Sequence, residues 1–150
     1  MTEEEKIQET LVKKFSLSAE SVVIRRPRRI SLQVEYARFK GVLEYALRDL
    51  AFTNLCSLVG LDEGETFGII YHLARNRGMM LSIRTSVPRG KPVLETITGY
   101  YSSAEIYERE LVDLLGIQVQ GLGPGPRYPL TDDWPQGEYP LRKDWKQKKS

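Results

Sequence analysis

Residues 100–145 read YYSSAEIYERELVDLLGIQVQGLGPGPRYPLTDDWPQGEYPLRKDW, and this stretch decides how the chain is organised. Apolar residues recur at helical spacing in its first part, where the hydroxyl of Ser102 and the carboxylate of Glu105 are spaced for a capping box. Gly116 stands where a left-handed C-terminal cap is expected. Glycine and proline then recur over 121–140 too often for regular structure. The stretch predicts a capped helix that leads into an arm laid on another surface, either that of a partner or that of its own domain.

The chain upstream of this stretch predicts a sheet with packed helices. A capping box and an apolar stripe predict a helix over 3–15, and a stronger amphipathic pattern predicts a second helix over 36–51. Short connections leave little room for crossover helices, so antiparallel pairing is expected. The predicted fold is α+β: a mainly antiparallel sheet with helices packed on one face over residues 1–121, then an extended Pro/Gly-rich C-terminal arm over 122–150. The predicted strands cover residues 21–25, 30–35, 55–61, 66–74 and 79–87. In the last of them Leu81, Ile83, Thr85 and Val87 alternate with Ser82, Arg84 and Ser86, which predicts a sheet with one wetter face.

Length, composition and charge describe an ordinary globular domain. The chain has 150 residues, of which 41% are hydrophobic and 28% charged. A net charge of +2 is too small to indicate binding to nucleic acid or to a membrane surface. No apolar run approaches the roughly 18–20 residues that span a bilayer, and the acidic start MTEEEK does not resemble a signal peptide. We therefore expect a cytoplasmic protein whose contact with a membrane is made through partners.

The single cysteine and single histidine restrict the chemistry of the chain. A structural zinc or an iron–sulfur cluster needs about four ligands, which one thiol and one imidazole cannot supply. Cys56 lies in an apolar run and is predicted to be a buried small hydrophobe. His72, between Tyr71 and Leu73, is predicted to be a packed or hydrogen-bonded core residue rather than a catalytic base.

Two charged patterns invite functional interpretations. The run Arg25–Arg29 reads RRPRR, which fits a solvated turn or a rim contact to an acidic partner better than a nucleic-acid patch, because no aromatic or glycine residues are interleaved. Glu108 and Glu110 are two residues apart on the predicted helix, so they do not face one bond as a catalytic pair. Arg109 is four residues from both Glu105 and Asp113 and is placed for a charge ladder.

Three motifs carry a resemblance to a known family. The segments Glu108–Glu110, Asp113–Ile117 and Pro140–Trp145 resemble the ERE, D-hydrophobic-hydrophobic-GI and PLRKD pattern of the C-subunit family of NADH:quinone oxidoreductase (complex I), which includes the equivalent subunit of membrane-bound energy-converting hydrogenases. Residues 69–73, IIYHL, resemble the hydrophobic-YHL strand of that family. Where respiratory members usually carry a GH pair, this chain has Gly121–Arg127, which favours a hydrogenase-like relative.

The resemblance implies a structural subunit of the hydrophilic arm of an ion-pumping oxidoreductase, on the cytoplasmic face of the cell membrane. It implies no catalytic, cofactor-binding or metal-ligating residue in this protein; nickel–iron and iron–sulfur clusters are expected in the partners, a large catalytic subunit and an iron–sulfur small subunit. An energy-converting [NiFe] hydrogenase is the favoured complex, and a complex I-type quinone reductase is the alternative. A stand-alone basic nucleic-acid-binding module, using Arg25–Arg29 and Lys146–Lys149, is a second alternative. The residues expected at the partner interface are Glu108, Arg109, Glu110, Asp113, Arg127, Trp134, Arg142, Lys143, Asp144 and Trp145.

Overall fold

The computed structural model describes residues 1–147, so Lys148 and Lys149 of the lysine-rich end lie outside the described residues. Three α-helices and seven strands follow one another within these described residues, with short 3-10 turns at Ala19–Ser21 and Asn76–Gly78. In chain order the elements are α1 Glu3–Phe15, β1 Val22–Arg26, β2 Arg29–Gln33, α2 Tyr36–Arg48, β3 Asn54–Asp62, β4 Thr66–Arg75, β5 Met79–Pro88, β6 Val93–Glu95, α3 Ala104–Leu115 and β7 Gln118–Gln120.

The strands form a mixed five-stranded sheet, in the order β1-β2-β5-β4-β3, and a two-stranded sheet of β6 and β7. Strands β1 and β2 are antiparallel. The connections β3–β4 and β4–β5 join sheet neighbours within three residues, which only an antiparallel hairpin allows. Two pairs are parallel, β2 with β5 and β6 with β7. The α+β class is confirmed, and the parallel pairs arise because a helix lies on the path from each strand to its partner, α2 in one case and α3 in the other.

Contacts divide the molecule into two compact units, which are described separately. The first comprises Met1–Ser57 and Ile70–Thr85, and the second comprises Leu58–Ile69 and the residues from Ser86 onward. The boundary expected from the sequence, at residues 121 and 122, stays a prediction.

The core of the first unit lies between the helices α1 and α2 and one face of the sheet. The capping box predicted for α1 is present, with the Thr2 hydroxyl accepting from the Glu5 N–H and the Glu5 carboxylate accepting from the Thr2 N–H. Inward side chains alternate along β5 with outward Ser82 and Arg84, so the predicted wetter face is confirmed. The largest fully buried side chains of this core are Leu11, Ile30, Leu32, Leu43, Phe52, Tyr71, Leu73, Leu81 and Ile83.

Three local predictions need correction. Cys56 is exposed rather than buried, because it lies on β3, a strand at the edge of the sheet. Ser102 does not cap α3: the helix begins at Ala104, whose N–H is taken by the carbonyl of Tyr101 instead of a side chain. His72 is hydrogen-bonded as predicted, but it lies half-buried on the open face of the sheet rather than in the core.

Candidate partner-binding surface

Helix α3 is the element around which the second unit is arranged. Its inward face carries Ala104, Leu111 and Leu115, all buried. A Cβ at Gly60 would lie 2.5 Å from Leu115 Cδ1 and 2.6 Å from Leu111 Cδ2, so the helix approaches β3 at a position that has room only for glycine. The helix ends at Gly116, whose φ of 74° and ψ of 24° confirm the predicted left-handed cap.

Glu108 uses its carboxylate inside the protein. The side chain is buried; Oε1 accepts a hydrogen bond of 2.6 Å from the Thr96 hydroxyl, and Oε2 accepts one of 3.3 Å from the Ile97 N–H. Burial is the main cause that raises the pKa of this carboxyl above its ordinary value, and the two hydrogen bonds oppose it. Glu108 therefore fastens the segment after β6 to α3, and direct contact with a partner stays a prediction for this residue, as it does for the partly exposed Glu110.

Arg109 joins the helix to the first part of the arm. Its Nη2 donates to the Glu105 carboxylate and to the carbonyl of Gly123, both at 2.9 Å. A Cβ at Gly125 would lie 2.6 Å from the same nitrogen, so the absence of a side chain lets the arm cross the guanidinium. The Glu105–Arg109 half of the charge ladder is present.

Asp113 fastens the middle of the arm. It pairs with Arg127, whose Nε donates to Oδ1 at 3.1 Å, and its Oδ2 accepts from the Leu130 N–H at 2.8 Å. The same guanidinium donates from Nη1 to the carbonyl of Trp134 at 2.6 Å. The Trp134 and Trp145 rings lie 5.7 Å apart, so these two residues, both expected at the partner interface, contact each other.

Arg142 fastens the end of the arm to the end of α3. Its Nε donates to the carbonyl of Leu115 at 2.7 Å, one of the carbonyls that a helix C-terminus leaves without an intrahelical partner. The guanidinium lies 5.2 Å from the centre of the Phe67 ring and 4.7 Å from that of Tyr139. A cation between two aromatic rings is held by packing as well as by charge.

Asp62 is the acceptor that receives the PLRKD segment. Its two carboxylate oxygens accept from the N–H of Lys143 at 2.7 Å, the N–H of Gly64 at 2.9 Å and Nη1 of Arg89 at 2.7 Å. Arg89 in turn pairs with Asp144 at 2.9 Å. The Lys143 N–H, first among these donors, lowers the pKa of Asp62 from 3.8 to about 2.

Sequence reasoning missed Asp62, Arg89 and Phe67. Asp62 follows Leu61 at the end of a strand, where an aspartate is usually a turn residue, and the residue that it binds is 81 positions away. The local sequence contains no signal for such a contact.

Apolar side chains remain exposed beside the arm. Apart from Met1, every large hydrophobic residue that is exposed within residues 1–147 belongs to the second unit. Ile106 and Tyr128 line a concave groove of about 480 Å³ with Pro126, and Arg109 and Glu105 supply its polar groups. The adjoining hollow of about 140 Å³ is lined by the exposed Val112. Exposed apolar residues in a concave surface with a polar rim are typical of a protein–protein interface.

No helix within residues 1–147 is both long and apolar enough to cross a bilayer. Across the same residues, no group of three or more His, Cys, Asp or Glu side chains could hold a metal ion. That the protein holds no cofactor stays a prediction.

The family model for the respiratory-chain NADH dehydrogenase 30 Kd subunit matches residues 32–150, and the protein belongs to this family. It is 34% identical over 114 residues to the C subunit of F420H2 dehydrogenase from Methanosarcina mazei, covering 74% of this sequence and 72% of that one. It is also 34% identical over 123 residues to NADH-quinone oxidoreductase subunit 5 of Thermus thermophilus, covering 67% of this sequence and 59% of that one. The resemblance predicted from the ERE, GI and PLRKD motifs is confirmed.

Solved structures show the same fold. One protein of the archaeal membrane-bound sulfane sulfur reductase superposes with a TM-score of 0.82 at 24% identity, covering 97% of this chain and 86% of that one. A trypsin-resistant fragment of Nqo5 superposes with a TM-score of 0.67 at 25% identity, covering 81% of this chain and 98% of that one.

Proposed function

We propose that this protein is a non-catalytic, cofactor-free subunit of the peripheral arm of a membrane-bound, ion-pumping oxidoreductase of the complex I type, at the cytoplasmic face of the membrane. Its partners are a large catalytic subunit and an iron–sulfur small subunit, which hold the redox groups. Family membership supports this assignment, since the relatives are named as subunits of redox complexes. The observation that carries it is the groove around Ile106 and Tyr128, an exposed apolar surface on a member of a family of subunits.

The residues predicted for the interface differ in the contacts that they make within the protein. Asp113, Arg127 and Arg142 use their hydrogen bonds to hold the arm to α3, so we propose that they shape the surface instead of touching the partner. Exposed side chains of the groove make the contact. Burying apolar area supplies the affinity at the centre of such an interface, and charges at its rim add specificity.

The type of complex has two candidates. The segment Gly121–Arg127, in place of the family's usual GH pair, supports an energy-converting [NiFe] hydrogenase. The names of the relatives, F420H2 dehydrogenase and NADH-quinone oxidoreductase, support a complex of the quinone-reducing or F420H2-oxidising type.

The test is co-purification from cells that produce the tagged protein at its native level. We expect a large and a small redox subunit in the eluate, identified by mass spectrometry, each in an amount equal to that of the tagged protein. A large subunit with paired CxxC motifs and hydrogen evolution by the eluate selects the hydrogenase, and quinone or F420 turnover selects the other type. Recovery of the protein alone, or with nucleic acid, contradicts the proposal.

A matched pair of substitutions locates the contact. Ile106→Asp places a carboxylate in the groove, and Ala37→Asp places one at an exposed position of α2. Both positions lie in the first turn of a helix, where the helix dipole favours an acidic side chain, so both variants should fold. We expect Ile106→Asp to reduce the recovered large subunit at least tenfold, about 1.4 kcal/mol, and Ala37→Asp to leave it unchanged. Equal recovery of the large subunit with both variants would show that the interface lies outside the groove.

A further inference from the structure

A polar cleft on the open face of the sheet, in the first unit, has no part in the groove or the arm. Its volume is about 210 Å³. Side chains from four strands and from the 3-10 turn before β1 line it, among them Arg25, Ser31, His72, Ser82 and Arg84.

The register places a row of side chains across the middle of the cleft. Val23 pairs with Ser31, and Ser31 pairs with Ser82 on the next strand. The Ser82 hydroxyl lies 2.7 Å from His72 Nδ1, which extends the row to a fourth strand. Burial lowers the pKa of His72, so its ring is neutral at pH 7 and adds hydrogen-bonding capacity without charge.

One arginine stands at each end of this row. Arg84 is paired with Gln33, two residues beyond Ser82 along β5. Arg25 is the extra residue of a β-bulge in β1, because Ile24 faces Ile30 while Arg26 faces Arg29. A bulge redirects a side chain, and here the Arg25 guanidinium reaches back to donate to the Ser31 hydroxyl at 3.3 Å.

The spacing and size of the cleft restrict its ligand. Because β1 runs against β2 and β5, Arg25 and Arg84 lie three to four residues apart along the strand direction, roughly 10–13 Å at about 3.3 Å per residue. They also lie two strands apart across the sheet, which adds roughly 9–10 Å in that direction, so their α-carbons are roughly 14–16 Å apart. That distance suits two carboxylates better than one. The volume is below the roughly 300–1,000 Å³ of a typical small-molecule pocket and is sufficient for side chains that enter from outside.

We propose that this cleft binds an extended acidic segment of a partner subunit, which inserts two carboxylate side chains spaced two residues apart, one toward Arg25 and one toward Arg84. The inference rests on the proposed function and adds a second, electrostatic contact to the apolar groove. Residues two apart on an extended strand point the same way and are separated by roughly 6.6 Å, within reach of two long arginine side chains. Guanidinium forks bind carboxylates with two parallel hydrogen bonds, and the hydroxyl row can donate further ones. Glu20 lines the cleft too, so its carboxylate excludes acids that enter without both arginine contacts.

The first experiment measures assembly against salt. Arg25→Gln, Arg84→Gln and the double variant are co-purified with their partner subunits at rising NaCl concentrations, beside Arg26→Gln, an exposed arginine on the same strand. We expect each single variant to lose partner subunits at a lower NaCl concentration than wild type, the double variant to bind at least tenfold more weakly, and Arg26→Gln to match wild type. Arg84→Lys should recover part of the salt resistance. Equal salt resistance in all variants overturns the inference and leaves the proposed function intact. A wild-type protein that recovers no partner subunit contradicts both the inference and the proposed function.

The second experiment distinguishes a protein segment from a small anion. Backbone amide NMR of the full chain is recorded with the capped peptide Gly-Glu-Ser-Glu-Gly, with the same peptide carrying glutamine for glutamate, and with inorganic phosphate or acetate. We expect the acidic peptide alone to shift the amides of Ser31, Ser82 and His72, and Arg84→Gln to abolish the shift. Stronger binding of phosphate or acetate, or equal binding of the glutamine peptide, overturns the proposal.

Discussion

The guanidinium of Arg142 lies over the ring of Phe67, 5.2 Å from its centre, although the two residues are 75 positions apart (142 − 67). Phe67 is fully buried, so the arginine closes the edge of the second unit's core. A charged residue in a family motif thereby acts as a packing residue.

Arg142→Ala should therefore destabilise the protein before any partner is present. It removes the hydrogen bond to the Leu115 carbonyl and the contacts with two rings, and we expect the free energy of unfolding to fall by about 2–4 kcal/mol. Arg142→Lys should lose most of the same stabilisation, because a lysine ammonium group has neither the Nε donor nor the planar face of the guanidinium. Urea unfolding of the isolated protein measures both, with the exposed Arg26→Ala as the control, for which a change below about 0.5 kcal/mol is expected. No loss in Arg142→Ala would show that the contacts of this side chain do not stabilise the folded protein.

Gly116→Ala should destabilise more than Gly137→Ala. Both glycines have positive φ, 74° and 81°, so alanine costs roughly 1–2 kcal/mol at either through the left-handed backbone. A Cβ at position 116 would also lie 2.5 Å from Tyr139 and 2.7 Å from Arg142, whereas none of the described atoms lies within 4 Å at 137. The difference between the two losses, measured by thermal unfolding, isolates the contact with the arm. Equal losses would mean that the arm shifts aside without any loss of stability.

Asp62 should make stability depend on acid pH. Its pKa is about 2 in the folded protein and near 3.8 when unfolded, so the unfolded state binds the proton first. The stabilisation is fully present above about pH 4 and is lost as the pH falls toward 2. Asp62→Asn should lower the free energy of unfolding by about 1.5–3 kcal/mol at pH 6, and the difference from wild type should shrink below pH 4. Urea unfolding from pH 2 to 6 checks this; a difference that is constant over the range would assign the effect to packing.

Asp113→Ala should open the middle of the arm locally. It removes the acceptors of the Arg127 side chain and the Leu130 N–H. Trypsin cleaves after arginine when the segment opens, so cleavage after Arg127 should accelerate about tenfold for a loss near 1.4 kcal/mol. Asp132→Ala, an exposed acid of the same arm, is the control. Equal cleavage rates would show that Asp113 does not hold this segment.

The sequence predicted those parts of the fold that depend on neighbours along the backbone. The Thr2 capping box, the Gly116 cap and the alternation in β5 need only a few adjacent residues, and all three are confirmed. The prediction that Ser102 caps α3 was wrong, because the N–H of Ala104 at the start of the helix donates to a backbone carbonyl rather than to a side chain. The prediction that Cys56 is buried was wrong, because an apolar run does not show which of its residues face water on an edge strand.

The arrangement of the candidate surface could not be predicted in the same way. The local sequence around Arg142 is the same whether its side chain contacts a partner or stacks on Phe67. Only the tertiary contact between segments far apart, as between Asp62 and Lys143, decides between them. The same holds for the cleft, where Arg25 joins Arg84 only through a bulge and a parallel strand pair.

Strand β3 lies at the end of the sheet and carries exposed Cys56, Val59 and Leu61, with no lysine, arginine or proline among its nine residues. Proteins usually protect such an edge with charge, proline or a covering element, because its free backbone groups can pair with another polypeptide. A copy made in excess of its partners is therefore open to edge-to-edge aggregation. Cells that produce the protein without its partners should therefore yield a smaller soluble fraction of it than cells that produce all the subunits in balance.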